Sequence, residues 1–192
     1  MFKKKPEGYR ELLVYQKAEQ RQRMTEELIL HFSKTKTSIA LADQMSRSDR
    51  STSKNITEGW KRNTTKEYLQ FLGFAIASNA ELMEDCADIA TGVYNELKGV
   101  KGIMGARSVM GRGELDKLKF FPLDQNLSPI VKLFLLTKEI GFLIYRLQQS
   151  LDVKMEEEGT RPIQDKTSER LSREKLARKN FEELLKKFGS KK

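Results

Sequence analysis

The chain has 192 residues, with 36 Lys or Arg against 27 Asp or Glu, so its formal net charge is +9. This length is enough for one domain that buries a core, and the basic balance makes polyanions the first class of partner to consider. The single cysteine, Cys86, excludes an internal disulfide, and charged residues interrupt the most apolar stretch, which argues against a membrane span. The N-terminus lacks the apolar run of a secretory signal, so we expect a cytoplasmic protein.

The first predicted helix runs from about Gly8 to Phe32. Four apolar residues are expected on its inner side: Leu13, Met24, Leu28 and Phe32. Its middle, residues 19–23, is unusually polar. Either this part projects beyond the neighbouring helices, or Gln16 and Gln20 meet polar residues of the second helix.

The second predicted helix follows the hydroxyl-rich residues 34–38, which offer N-caps, and ends near Gly59 or Trp60. At about 100° per residue, one narrow strip is expected to face the core. It consists of Leu41, Met45, Ser48, Thr52, Ile56 and Gly59. Because half of these residues are small or hydroxylated, a neighbouring helix can approach closely. A polar strip runs beside it: Gln44, Arg47, Ser51, Asn55, Glu58 and Arg62.

The face opposite the core strip is basic, and we call it the basic ridge. Its members, which are the candidate nucleic-acid-binding residues, are Arg47, Arg50, Lys54, Lys61 and Arg62. Only Asp43 and Asp49 are expected to lie near enough to offset this charge. The ridge is either a solvated helix face or a phosphate-binding surface. Trp60 beside it either stacks on a base or packs under the helix corner.

The third predicted helix runs from about Thr65, with Thr64 or Thr65 as its cap, to Leu97. Its inner face is expected to hold Tyr68, Leu72, Ala75, Leu82, Cys86, Ile89 and Val93. The opposite face carries four carboxylates: Glu81, Glu84, Asp85 and Asp88. A dinuclear site in a helix bundle needs inward-facing Glu residues and Glu-x-x-His pairs, which this helix lacks, so we expect no metal. The acids form either a solvated face or a surface that meets the basic ridge of a neighbouring subunit.

Residues 98–113 contain five glycines, which predicts a mobile basic loop rather than a regular element. Ser128 and Pro129 then favour the start of the last long helix, with Ser128 as N-cap and Pro129 in its first turn. From Ile130 to Leu151 this helix is apolar over nearly its whole circumference, so it must be covered on a second side. The simplest cover is another subunit.

The composition changes after Leu151, where residues 155–162 read as a linker. Residues 159–192 hold eleven Lys or Arg against five Asp or Glu and carry apolar residues at helical spacing. These residues are Ala177, Phe181, Leu184, Leu185 and Phe188. The segment is either a basic amphipathic helix, which would dock on its own domain, a partner groove, anionic lipid or nucleic acid, or a partly disordered tail. We therefore divide the chain into residues 1–151 and 152–192.

Several of these residues carry a resemblance to a known family. The relevant positions are Gln44, Arg47, Ser51, Asn55-Ile56, Glu58-Gly59, Phe71-Leu72, Ala75, Ser78 and Glu81-Leu82, preceded by residues 13–18, LVYQKA. This spacing resembles the bacterial four-helix-bundle proteins encoded in intervening sequences of large-subunit ribosomal RNA genes. The resemblance covers roughly Tyr9 to Leu151 and is dense from Gln44 to Leu82. Related proteins include the accessory subunit of diversity-generating retroelements, a basic pentamer that works with a reverse transcriptase and its RNA.

The sequence departs from the family pattern at several positions. Tyr15 replaces a usual Trp, Thr52 a usual Ile, Ser48 and Thr57 usual Ala residues, and Ala77 a usual Gly. Residues 98–113 and the long tail are additions that the short family members lack. A function that resides in these additions is therefore not implied by the resemblance.

We expect an all-α protein, an antiparallel up-down four-helix bundle with an additional C-terminal basic helix. Its expected function is non-enzymatic binding of RNA or DNA, because the single His31 and the single Cys86 cannot assemble a nucleophile, a base and an orienting group. No cofactor is expected. The apolar last helix predicts a closed homo-oligomer, and the resemblance implies that it is a pentamer. A reverse transcriptase or another protein is a possible partner. The alternative is an oligomeric protein adaptor, and deleting residues 159–192 discriminates between the two functions.

Overall fold

The computed structural model describes residues 5–104 and 110–160, with side chains to residue 156, together with residues 172, 175, 176 and 179. Six α-helices lie in the two continuous ranges. They are α1 (Leu13–Ile29), α2 (Lys36–Lys61), α3 (Thr65–Thr91), α4 (Lys101–Met104), α5 (Arg112–Lys117) and α6 (Pro129–Thr160). These ranges contain no strand. The chain divides into two compact units, Met1–Leu151 and Asp152–Lys192, and the apolar positions predicted for the tail helix lie outside the described residues.

The N-terminal helix is shorter than predicted. A 3₁₀ turn at Gly8–Glu11 precedes it, and Leu12 adopts an extended conformation before α1 begins at Leu13. This break changes which side chains face inward. Leu13 is therefore exposed, contrary to its predicted inner position, whereas Leu28 is buried and Met24 is partly buried.

Helix α2 begins as its sequence predicts. The Thr35 hydroxyl accepts a hydrogen bond of 3.1 Å from the backbone N–H of Ser38. The predicted core strip is confirmed, because all six of its residues are buried. At Gly59 an added Cβ would lie only 2.5 Å from Tyr68 Cδ2, so α3 packs directly against the glycine backbone. Late residues of α2 therefore contact early residues of α3.

Helix α3 is held at its start by a capping box. The Thr64 hydroxyl accepts from the N–H of Glu67, and the Glu67 carboxylate accepts from the N–H of Thr64. The helix ends at Thr91, earlier than the predicted Leu97, because Gly92 takes the left-handed conformation with φ of 81°. The chain turns away there, so Val93 is exposed and not on the inner face as predicted.

The glycine-rich segment is more ordered than its composition predicts. Lys101–Met104 forms the single-turn α4, and Ile103 and Met104 are buried. Leu115 of α5 is also fully buried. Burial of these apolar side chains offsets the conformational entropy that a glycine-rich backbone loses when it is ordered. The prediction of an irregular mobile loop was therefore wrong for this part. Residues 105–109 lie outside the described residues.

Helix α6 starts at Pro129 as predicted, but it continues to Thr160 through most of the predicted linker. Its first two turns, Ile130–Thr137, are buried except for the partly exposed Lys132. Leu136 belongs to a hydrophobic cluster with Val14 and Ile56. The other five apolar residues of these turns belong to one cluster with Leu97, Ile103 and Leu115; they are Ile130, Val131, Leu133, Phe134 and Leu135. The chain itself therefore supplies much of the second cover that we expected from another subunit. None of the described helices is both long enough and apolar enough to cross a membrane.

Candidate nucleic-acid interface

The basic ridge lies along the outer side of α2. All five predicted residues are exposed, four of them within α2 and Arg62 at its C-cap. Their outward position follows from the buried strip on the opposite side of the same helix. At 1.5 Å of rise per residue, the ridge extends over about 20 Å.

Intramolecular contacts occupy three of the five cations. Arg47 forms an ion pair of 2.5 Å with Asp43, and Arg62 forms one of 3.3 Å with Glu58. The Lys61 ammonium lies 5.8 Å from the centre of the Tyr9 ring. Within the described residues, neither Arg50 nor Lys54 makes an ion pair. These two cations at the middle of the ridge are thus the ones most available to an external anion.

Asp49 does not offset the ridge, contrary to its predicted position. The side chain is fully buried on the α1 side of α2, where its Oδ1 lies 2.9 Å from both Nε and Nη2 of Arg21. The Thr25 hydroxyl donates a hydrogen bond to its other oxygen. A sequence signal for this burial exists, since Asp49 follows the buried Met45 by four residues and precedes the buried Ile56 by seven. Asp49 neutralises a buried cation, not the ridge.

The buried ion pair connects the helices beneath the ridge. Arg21 also donates to the Asn79 side-chain oxygen, and Asn79 Nδ2 donates to the carbonyl of Thr137 at 3.1 Å. Burial raises the pKa of Asp49 and lowers that of Arg21, while the ion pair opposes both shifts. In the polar middle of the first helix, Arg21 is thus buried, whereas Gln20 and Arg23 are exposed. The predicted contact of Gln16 with the second helix is not found, because its side chain donates to the Arg10 carbonyl.

The predicted acidic strip of α3 is not an outward-facing surface along its whole length. Asp85 is buried against α2 and accepts hydrogen bonds of 3.1 and 3.2 Å from Gln44 Nε2. The Ser48 hydroxyl donates to Glu81 at 3.0 Å. Arg112 of α5 donates to both oxygens of Glu84, at 2.9 and 3.0 Å, and lowers the pKa of that carboxyl. These intramolecular partners weaken the expectation that the acids meet a neighbouring subunit's ridge.

Trp60 packs within the chain. Its indole N–H donates to the Lys5 carbonyl at 2.9 Å, and its ring lies edge-on to Tyr68 with centroids 6.3 Å apart. An added Cβ at Gly8 would lie 2.6 Å from the indole, which shows how closely the N-terminal turn covers it. Of the two predicted roles, the packing role accounts for this position.

An aromatic pair that the residue pattern did not reveal lies at the same end of the ridge. The Arg62 guanidinium lies 4.3 Å from the centre of the Phe71 ring, and Phe71 contacts Phe74 edge-on with centroids 5.8 Å apart. Phe74 is 48% exposed. The signal was present as an apolar residue at position 74, outside the core periodicity of α3.

Other chemistry has little support in this part of the molecule. The described residues contain no group of three or more His, Cys, Asp or Glu side chains that could hold a metal ion. Cys86 is fully buried, and burial raises the pKa of its thiol above the ordinary value. A thiol that stays protonated is a poor nucleophile.

The helices that build the ridge coincide with the part of the chain that matches a known family. Residues 10–94 match the family model of the 23S rRNA-intervening sequence protein. The match supports that family for α1, α2 and α3, including the whole ridge and both phenylalanines, and it ends before α4. No curated protein and no solved structure matches the chain. The predicted relation to accessory subunits of diversity-generating retroelements stays a prediction.

Proposed function

We propose that this protein is a non-enzymatic, cytoplasmic nucleic-acid-binding protein that uses the basic ridge of α2 to contact the sugar-phosphate backbone of RNA or DNA. The proposal draws on the similarity of residues 10–94 to the 23S rRNA-intervening sequence protein, whose name points to ribosomal RNA. Backbone contacts carry little sequence information, so we expect weak sequence preference and strong salt dependence.

The burial of Asp49 is the observation that carries this proposal. Because Asp49 pairs with Arg21 inside the protein, the exposed face of α2 retains a larger excess of positive charge than its sequence suggests. Arg50 and Lys54 at the centre of that face have no ion-pair partner among the described residues. Pairing with Arg21 accounts for the burial of Asp49, and the positive charge that remains on the exposed face of α2 is what a polyanion would recognise.

Charge reversal at the centre of the ridge tests the proposal. The double variant Arg50→Glu, Lys54→Glu should lower the affinity for RNA or DNA by at least about tenfold at low salt and reduce the salt dependence of binding. Binding is measured by fluorescence anisotropy over a salt titration. The matched control is Lys117→Glu, Lys119→Glu, which changes the charge equally at two exposed residues in and after α5.

The comparison of these two variants separates a local site from general attraction. Equal losses in both variants would mean that net charge alone drives binding, and the ridge would not be the site. Absence of wild-type binding to single- or double-stranded RNA or DNA at low salt would remove the proposed function altogether. Circular dichroism checks that each variant retains its helix content.

We also propose that α1, α2, α3 and α6 form an antiparallel up-down four-helix bundle and that copies of it associate. The contact of Gly59 with Tyr68 and the bonds from Gln44 to Asp85 support opposite directions for α2 and α3.

Exposed Phe142 and Tyr145 on α6 support self-association. The pentameric state and a reverse transcriptase partner rest on the family resemblance alone. Several ridges in one assembly would strengthen binding through effective concentration.

A further inference from the structure

An exposed aromatic side chain, that of Phe74, is connected through Phe71 to one end of the basic ridge. Arg62, a ridge residue, covers Phe71, and Phe71 in turn contacts Phe74. The backbone beneath this group is fixed, since an added Cβ at Gly59 would lie 3.0 Å from Phe71 Cβ. Phe71 therefore connects the ridge with the exposed ring of Phe74.

The chemistry of this group differs from that of an ordinary solvated surface. A guanidinium over an aromatic face is attracted by the ring quadrupole, which holds Arg62 near Phe71. The ion pair between Arg62 and Glu58 restrains the same side chain from α2. Nearly half of the Phe74 surface is exposed to water, which is unfavourable for an apolar ring. Proteins that bind single strands combine these two features, cations for the backbone and exposed aromatic rings for the bases.

We propose that Phe74 stacks on an unpaired base while the basic ridge binds the phosphates of the same strand, so that the preferred ligand is single-stranded nucleic acid. This inference rests on the proposed function and names its ligand class. In a duplex the bases stack on one another, so no base face is free to stack on Phe74. The preference arises because every unpaired base offers a π-face, whatever its identity.

Phe142 on α6 provides a natural comparison within the same chain. It is 46% exposed and contacts Phe120 with ring centroids 5.7 Å apart. Exposure and distance match those of the Phe74 and Phe71 pair, although these rings are tilted by 37° instead of meeting edge-on. No cation of the ridge contacts it in the described structure. Trp60, the aromatic residue that the sequence pointed to, is occupied by the N-terminal segment. Phe74 is thus the exposed aromatic ring linked to the ridge by direct contacts.

The test compares Phe74→Leu with Phe142→Leu in the full-length protein. Leucine keeps an apolar side chain at each position but lacks the π-face. The probes are an oligothymidylate of about 20 nucleotides, an abasic deoxyribose-phosphate oligomer of equal length and charge, and a DNA duplex of equal length. We expect Phe74→Leu to weaken binding to oligothymidylate by about 5- to 100-fold, with little change for the abasic and duplex probes. Phe142→Leu should change the three affinities by the same factor, because Phe142 lies in the patch proposed for self-association and any loss of avidity acts on all three probes alike.

A rescue variant and a mass measurement complete the design. Phe74→Trp, which restores a stacking ring, should bind oligothymidylate at least as tightly as the wild type. The inference is overturned if wild type binds oligothymidylate and the abasic oligomer equally, or if Phe74→Leu binds all three probes as wild type does. It is also overturned if Phe74→Leu lowers the particle mass in light scattering, because Phe74 would then be a contact between copies of the chain. In each of these cases ridge-dependent binding can persist, so the proposed function is judged separately, by wild-type binding and by the comparison of Arg50→Glu, Lys54→Glu with Lys117→Glu, Lys119→Glu.

Discussion

Asp85 shows how the position of one carboxylate changes its chemistry. Its side chain lies between α3 and α2, where burial and the nearby charge of Asp88 raise its pKa from 3.8 to about 6. Glu81 and Glu84 act in the same direction, and the hydrogen bonds from Gln44 oppose them. The raised pKa means that the ionised form is less stable in the folded protein than in the unfolded chain.

This shift predicts a pH-dependent gain from Asp85→Asn. Between about pH 4 and pH 6 the folded state binds more protons at Asp85 than the unfolded state, so wild-type stability falls as pH rises. The amide removes this penalty, and we expect a gain of about 1 kcal/mol near neutral pH after allowance for solvent screening. The gain should disappear near pH 4. Urea unfolding at both pH values measures it, and a loss of stability at neutral pH would show that the charged form is favoured by Gln44.

Helix α2 makes a different contact on each of its sides. One side places Asp49 against Arg21 of α1, and the adjacent strip lets α3 approach at Gly59. The outer side carries the ridge. The orientation of the ridge is therefore fixed by two buried contacts that tie α2 to its neighbours.

The buried ion pair predicts strongly unequal effects of single and double substitutions. Asp49→Ala leaves Arg21 charged and uncompensated in the core and should cost about 3–5 kcal/mol. Arg21→Met should cost a similar amount because Asp49 is then unpaired. The double variant Arg21→Met, Asp49→Leu should be clearly more stable than the sum of single losses implies. Chemical denaturation of the wild type, the two single variants and the double variant gives a double-mutant cycle. Additive losses of stability would contradict a direct coupling of the two residues.

Two glycines predict opposite effects of the same substitution. Gly59→Ala places a methyl group 2.5 Å from the buried Tyr68 ring, so overpacking should outweigh the better helix propensity and cost about 1–2 kcal/mol. At Gly73 in α3 nothing lies within 4 Å of an added Cβ. Gly73→Ala should therefore stabilise the protein by about 0.5–1 kcal/mol. Thermal unfolding compares them, and a gain at Gly59 would mean that α2 and α3 separate easily.

The proposed self-association needs a surface, and α6 offers a limited one. The buried first turns of this helix are already covered by α4, α5 and nearby residues. What remains is a patch that includes Phe142 and Tyr145, both about half exposed. Burial within the chain therefore explains most of the apolar residues of α6, and only this patch remains for self-association.

Light scattering coupled to size exclusion tests the oligomer. We expect wild type to elute at a multiple of the 22.2 kDa chain mass, and Phe142→Lys, Tyr145→Lys to shift it towards the monomer, because buried charge opposes association. Leu30→Lys, at an exposed position in the turn after α1, is the control and should leave the mass unchanged. A wild-type mass of one chain at micromolar concentration would exclude both the oligomer and the avidity argument.

The features that depend on local chemistry follow from the residue pattern alone. Helical periodicity predicted the core strip of α2, and Pro129 predicted the start of α6. Hydroxyl residues at 34–38 and 64–65 predicted N-caps, which Thr35 and Thr64 provide. The basic ridge also followed from spacing along one helix. Each of these features is set within a few residues of the chain, where propensity and helix geometry act directly.

The tertiary structure decided the features that depend on which surfaces meet. Sequence spacing alone did not reveal that Asp49 pairs with Arg21, that Asp85 is buried, or that Ile103 is needed to cover α6. Nor did it show that the N-terminal turn covers Trp60, or that Phe74 is exposed next to Phe71, the ring that Arg62 covers. The physical reason is common to all of these: the cost of burying a polar group, or of exposing an apolar one, is set by partners that are distant in the chain.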